Sequence, residues 1–220
     1  VVRWITRASS SSLCNGDFEQ GPGACWEEYS SHDWPIIIRA DYLPVPPRSG
    51  SWAAWLGGEH DEISAIWQQV TIPATNPTLS FWHWIASEDE CGYDFGGVII
   101  NASTVADVFD LCADADTNGW VRRTVDLRAY AGQSVELQIR VETDSSLNSN
   151  LFVDDIALGV STTSQEPGER QKQPASGQTT DKRTKFPAGA TNIPDDVNRK
   201  LNMIWRRSSP RSDDHRLSPN

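Results

Sequence analysis

From Gly16 to Leu158 the chain is a succession of short β-branched, aromatic and aliphatic runs, broken every few residues by Gly, Pro, Asn or Asp, with no helical period between them. That pattern confines the fold to an all-β architecture. Strands are expected over Pro35–Ala40, Ser51–Leu56, Ile63–Ile72, Thr78–Ala86, Gly97–Asn101, Trp120–Asp126, Ser134–Glu142 and Leu151–Leu158. The clearest alternation is in the stretch 135–141, where Val135, Leu137, Ile139 and Val141 share one face. Glu136, Gln138, Arg140 and Glu142 share the other, as in a sheet with one buried and one wet side. Many short strands joined by tight turns read as a sandwich of two sheets.

The composition changes after Gly159. Residues 1–159 hold 8 of the 19 Lys and Arg residues, none of them lysine, but 23 of the 30 Asp and Glu residues. Such an acidic body repels phosphate backbones and anionic membranes, which argues against nucleic acid as a partner. It suits divalent cations. The stretch Ser161–Ala190 has Phe186 as its single large apolar residue. It buries too little to offset ordering entropy, so residues 160–220 are expected to be a disordered basic tail. Within that tail, Pro194 followed by two aspartates and an apolar spacing allows one short helix near 195–206. The expected organisation is an N-terminal extension over 1–13, a folded domain over 14–159, and the tail.

All four cysteines, Cys14, Cys25, Cys91 and Cys112, lie in the acidic body, and none forms a CxxC pair. Zinc is therefore disfavoured. Two local bridges, Cys14–Cys25 and Cys91–Cys112, are the simplest of the three connectivities; buried free thiols are the alternative. Disulfides imply a secreted or cell-surface location. Val1–Leu13 lacks the apolar run of an export signal, and no stretch has the length of a membrane span. The chain reads as a mature piece of a larger secreted protein or assembly.

Several motifs extend this reading. The opening Cys14-Asn-Gly-Asp-Phe-Glu19, then Cys25-Trp26 and Asp33-Trp34, resembles the start of MAM domains, which are extracellular adhesion-type jelly rolls. Residues 49–58, 69–73, 78–82, 125–132 and the closing Phe152-Val-Asp-Asp-Ile156 continue the series in order. Together they are similar to MAM-like, galactose-binding-like domains appended to bacterial secreted proteins, including metalloproteases of the immune-inhibitor-A type. The resemblance implies a jelly-roll β-sandwich of two antiparallel sheets whose first and last strands pair. It also implies a structural calcium ion between them, held by Glu19 and by Asp154 or Asp155, with Asp17 as helper. Hard carboxylate oxygens are the right chemistry for that ion; the alternative is that these groups are solvated strand ends.

Other candidates are weaker. The run Asp114-Ala-Asp-Thr-Asn-Gly119 imitates half an EF-hand loop, but Val125 occupies the position of the bidentate glutamate, so a turn is expected. Trp82 and Trp84 share one face of a strand and would offer a stacking platform for sugar rings unless a loop or another tryptophan covers them. The histidines at 32, 60, 83 and 215 show no HExxH spacing, and neither a GxSxG elbow nor a P-loop occurs. A non-catalytic extracellular module binding glycans or proteins is therefore expected. The rival readings are an accessory domain of a secreted hydrolase such as a metalloprotease, and a structural spacer.

Overall fold

A computed structural model describes residues 12–159. The basic tail, its short helix near 195–206 and most of the N-terminal extension lie outside the described residues. Among the described residues ten strands form, in chain order: β1 (Glu27–Ser30), β2 (Ile37–Arg39), β3 (Trp52–Gly57), β4 (Ile63–Thr71), β5 (Thr78–Ser87), β6 (Phe95–Ile100), β7 (Thr104–Asp110), β8 (Val121–Asp126), β9 (Ser134–Glu142) and β10 (Ser149–Leu158). They make two five-stranded antiparallel sheets, ordered β1-β4-β9-β6-β7 and β2-β3-β10-β5-β8. The architecture is the all-β jelly-roll sandwich.

β9 and β10 sit at the centres of their sheets. Val135, Leu137, Ile139 and Val141 of β9 are buried against Leu151, Val153 and Ile156 of β10, with Leu79, Phe81 and Ile85 of β5 beside them. The alternation of β9 is therefore the core pattern itself. Its other face is less wet than expected: Glu142 is buried and pairs with the half-buried Arg140. The register explains this, since Phe95 stands opposite Glu142 and Ile99 opposite Gln138, so apolar neighbours crowd that face.

β1 and β7, absent from the expected strands, are the two edges of one sheet. Both disulfides join the local pairs, Cys14 to Cys25 and Cys91 to Cys112.

The opening motif is a turn, not a strand. Asn15 and Phe18 take positive φ, and the first strand, β1, pairs with β4. The motif nevertheless meets the end of the domain. β10 bulges between Asp154 and Ala157, which frees the Ile156 amide to donate to the Gly16 carbonyl at 2.8 Å. Phe18 and Trp26 then bury together, ring centroids 5.8 Å apart, and seal the end of the core.

Candidate functional site

The outer face of the β10-centred sheet carries a band of aromatic residues. Trp55 on β3, Phe152 on β10 and Trp84 on β5 are direct cross-strand partners, so all three project to the same side. The Trp55 and Phe152 rings lie 5.6 Å apart, and Trp120, just ahead of β8, meets Trp84 edge-on at 6.2 Å. Phe152 is buried beneath this band, whereas the indoles are partly open.

At its β3 end the band runs into a groove of about 530 Å³. Its lining includes the side chains of Trp34, Ile38, Tyr42 and Trp55 together with Glu59 and Glu62. Trp34 and Tyr42 are 58% and 76% exposed. Each stands on a turn with no core face to bury into: Trp34 follows Asp33 at positive φ, and Tyr42 ends the short 3-10 helix Ala40–Tyr42. Trp55 is locked by its Nε1 donating to Asn150 Oδ1 at 2.9 Å. Gly58 leaves room for that indole, because a Cβ there would lie 2.9 Å from Trp55 Nε1, and its φ is +81°. Glu62 is almost fully buried, accepting from Ser31 Oγ and lying 2.5 Å from His32 Nδ1. That hydrogen bond raises the His32 pKa.

The arrangement can bind an amphipathic ring system. The flat aromatic faces in the lining accept C–H faces, and the Glu59 carboxylate accepts hydroxyl donors. Trp82 and Trp84 both project outward; Trp84 is partly open, whereas Trp82 is covered. The Arg48 guanidinium stacks 4.2 Å over the Trp82 ring, and the loop 43–51 is tied across this face by Trp120 Nε1 donating to Pro46 O.

The terminal carboxylates gather on the same loop. Glu19 Oε1 accepts from the Ser51 and Trp52 amides at 2.8 and 2.9 Å. Asp154 is fully buried, with Oδ2 accepting from Ser49 N at 3.1 Å and Oδ1 from Asp155 N at 2.7 Å. Burial is the main cause that pushes its pKa up to about 7. Asp155 pairs with Arg48 at 2.7 Å and accepts from Ser49 Oγ at 3.1 Å, so its charge is already met by protein. Asp17 Oδ1 reaches only the Glu19 amide, at 3.4 Å. Asp17, Glu19, Asp154 and Asp155 are not among the described carboxylates that bring three oxygens within 4.8 Å of one another. The 114–119 loop is a turn: Asp116 Oδ1 caps Ser87 N, and Thr117 Oγ1 donates to Gly119 O. His60 lies on the loop between β3 and β4, and His83 is buried on the inner face of β5.

No family model matches the chain. It is 31% identical over 129 residues to the pre-pro-metalloprotease PrtV of Vibrio cholerae, an alignment covering 53% of this chain and 14% of that protein. The chain thus spans a small fraction of the curated relatives it matches. Among solved structures it is similar to the module TmCBM61 in complex with β-1,4-galactotriose, at 17% identity and a TM-score of 0.44, over 66% of this chain and 95% of that one. It is also similar to the K1 adhesin domain of Lys-gingipain from Porphyromonas gingivalis, at 12% identity and a TM-score of 0.47, over 64% of this chain and 93% of that one. Among the described residues no helix is long and apolar enough to cross a membrane.

Proposed function

We propose that the domain is a non-catalytic extracellular glycan-binding module and that the groove of Trp34, Tyr42 and Trp55 is its binding site. The observation that carries this reading is the pair of exposed aromatics, Trp34 and Tyr42, held beside a third ring whose orientation is fixed by a hydrogen bond. Large apolar rings kept in water are unfavourable unless a partner covers them. Glu59 in the groove lining accepts sugar hydroxyls, and the Trp84–Trp120 pair extends the surface for a longer chain. Two disulfides support an extracellular setting.

A glycan array probed with the 220-residue chain tests this. Trp34→Ala and Tyr42→Ala should each weaken binding of any positive glycan by about tenfold or more, as the loss of a stacking ring does. Trp82→Ala should have a smaller effect, because Arg48 occupies its face. Absence of binding by the wild type, or equal binding by all variants, rejects the reading.

A second reading, an accessory domain within a secreted protease, is favoured by the stretch shared with PrtV. It is compatible with glycan binding, since such a domain would hold an enzyme near a glycosylated surface. We also infer a structural calcium ion between Glu19 and Asp154, supported by the convergence of both carboxylates on residues 49–52.

A further inference from the structure

Asp89, Asp94 and Asp144 come from three separate places: the turn after β5, the residue ahead of β6, and the turn after β9. Each offers a carboxylate oxygen within 4.8 Å of those of the other two. One oxygen of each is already fixed by protein. Glu90 N donates to Asp89 Oδ1 at 2.7 Å, Asp144 N to Asp94 Oδ1 at 2.7 Å, and Ser146 N and Oγ to Asp144 Oδ1 at 2.8 and 3.0 Å. The second oxygens are different. Asp89 Oδ2 and Asp94 Oδ2 are buried and have no hydrogen-bond partner, in residues only 4% and 0% exposed; the Ser149 hydroxyl near Asp94 donates to the Leu111 carbonyl at 3.0 Å instead.

The ion pairs of His32, Arg39, Arg48, Arg123 and Arg128, and the Arg140–Glu142 pair, engage none of the three, and the described residues contain no lysine. Burying a carboxylate without a counter-charge costs several kcal/mol, and neighbouring carboxylates add repulsion. A hard cation removes both costs.

We propose that Asp89, Asp94 and Asp144 form a divalent cation site and that its ion is calcium. Three protein carboxylates meeting at one point suit calcium, which takes about six to eight oxygen ligands from protein, whereas magnesium keeps several of its waters and is usually held by only one or two carboxylates. Backbone carbonyls and water complete the shell. The site is also preassembled. Cys91–Cys112 staples the turn that carries Asp89 and Asp94, and Ala113 N and Leu111 N donate to the Asp89 and Asp94 carbonyls, both at 2.9 Å. The third arm is connected to the groove, since Asp144 O accepts from Asp61 N at 2.7 Å, on the loop between Glu59 and Glu62.

Calcium titration calorimetry on the full 220-residue chain, stripped with EDTA, tests the proposal. The wild type should bind one more equivalent than Asp94→Asn. Asp144→Asn, at a less buried position, should weaken that step at least tenfold while keeping the wild-type circular dichroism spectrum in EDTA. Asp154→Ala should leave the step intact, so failure of the ion inferred between the terminal segments is read separately. Hydrogen exchange locates the event. Calcium should slow exchange of the amides at 89–94 and 143–146 in wild type and Asp154→Ala, but not in Asp144→Asn. Equal calcium stoichiometry and affinity in wild type, Asp94→Asn and Asp144→Asn overturns the proposal, as does a wild type whose turns gain no protection.

Discussion

His83 shows how a single side chain ties the stability of this fold to pH. It sits on the inner face of β5 between the Phe81 and Phe109 rings, at 6.0 and 5.8 Å, and is 5% exposed. Burial pushes its pKa down to about 4, and the Arg123 guanidinium acts in the same direction. Its hydrogen bond to the Val121 backbone and the charge of Asp107 oppose the shift without cancelling it, for Asp107 is itself paired with Arg123 at 2.5 Å. The unfolded chain takes up this proton near pH 6.5, the folded one only near 4. Folding is therefore favoured by the full difference above pH 6.5, and that contribution is lost as pH falls through the interval to about 4. The gap corresponds to about 3 kcal/mol. Urea denaturation at a series of pH values should show His83→Gln with a flatter stability profile between pH 6.5 and 4 by up to that amount. An unchanged profile would mean the imidazole is solvated.

At the scale of strands and turns, legibility followed hydrophobic pattern. β9 was readable because four apolar residues alternate with polar ones along a central strand, and β10 because its end is apolar on the side that meets the core. β1 and β7 were not, because edge strands carry charge where a partner strand would otherwise add: Glu27 and Glu28 on one, Asp107 and Asp110 on the other. The groove was hidden for a related reason. Trp34 and Tyr42 sit on turns, outside any period, and only an aromatic set between Asp and Pro, as in Asp33-Trp34-Pro35, hints that no core awaits it. Covering of Trp82 by Arg48 depends on a loop 34 residues away in sequence, which no local pattern reports.

One turn position can be tested directly. Gly50 has φ +59°, and a Cβ there would lie 2.2 Å from Glu19 Cδ. Gly50→Ala must strain the backbone and expel the Glu19 carboxylate from the Ser51 and Trp52 amides. Equilibrium unfolding should show a loss of about 2–3 kcal/mol. Wild-type stability would show that the loop rearranges freely.

For the whole molecule, the question is what keeps the two ends of an acidic body together. The direct contact is modest: one backbone hydrogen bond from Ile156 to Gly16, and the Cys14–Cys25 bridge that holds the opening turn to β1 rather than to β10. Glu19 and Asp154 both lean on the loop 49–52 from opposite termini of the domain, so an ion shared between them would cross-link first segment, loop and last strand at once. A ligand at 100 times its dissociation constant adds about 2.7 kcal/mol. In a body of this size that raises the melting temperature by about 5–10 °C. Asp154→Ala should remove the part of the calcium-dependent rise that depends on this tie, and Glu19→Ala should reduce it. Asp114→Ala should leave it unchanged, because that aspartate belongs to a turn. Both carboxylates also accept backbone amides, so each variant is less stable even in EDTA. The informative quantity is thus the calcium increment of each variant, measured by calorimetry in EDTA and in millimolar calcium. If Asp154→Ala gains as much from calcium as the wild type does, the terminal segments hold no ion, and amide hydrogen bonds alone account for the burial of Asp154.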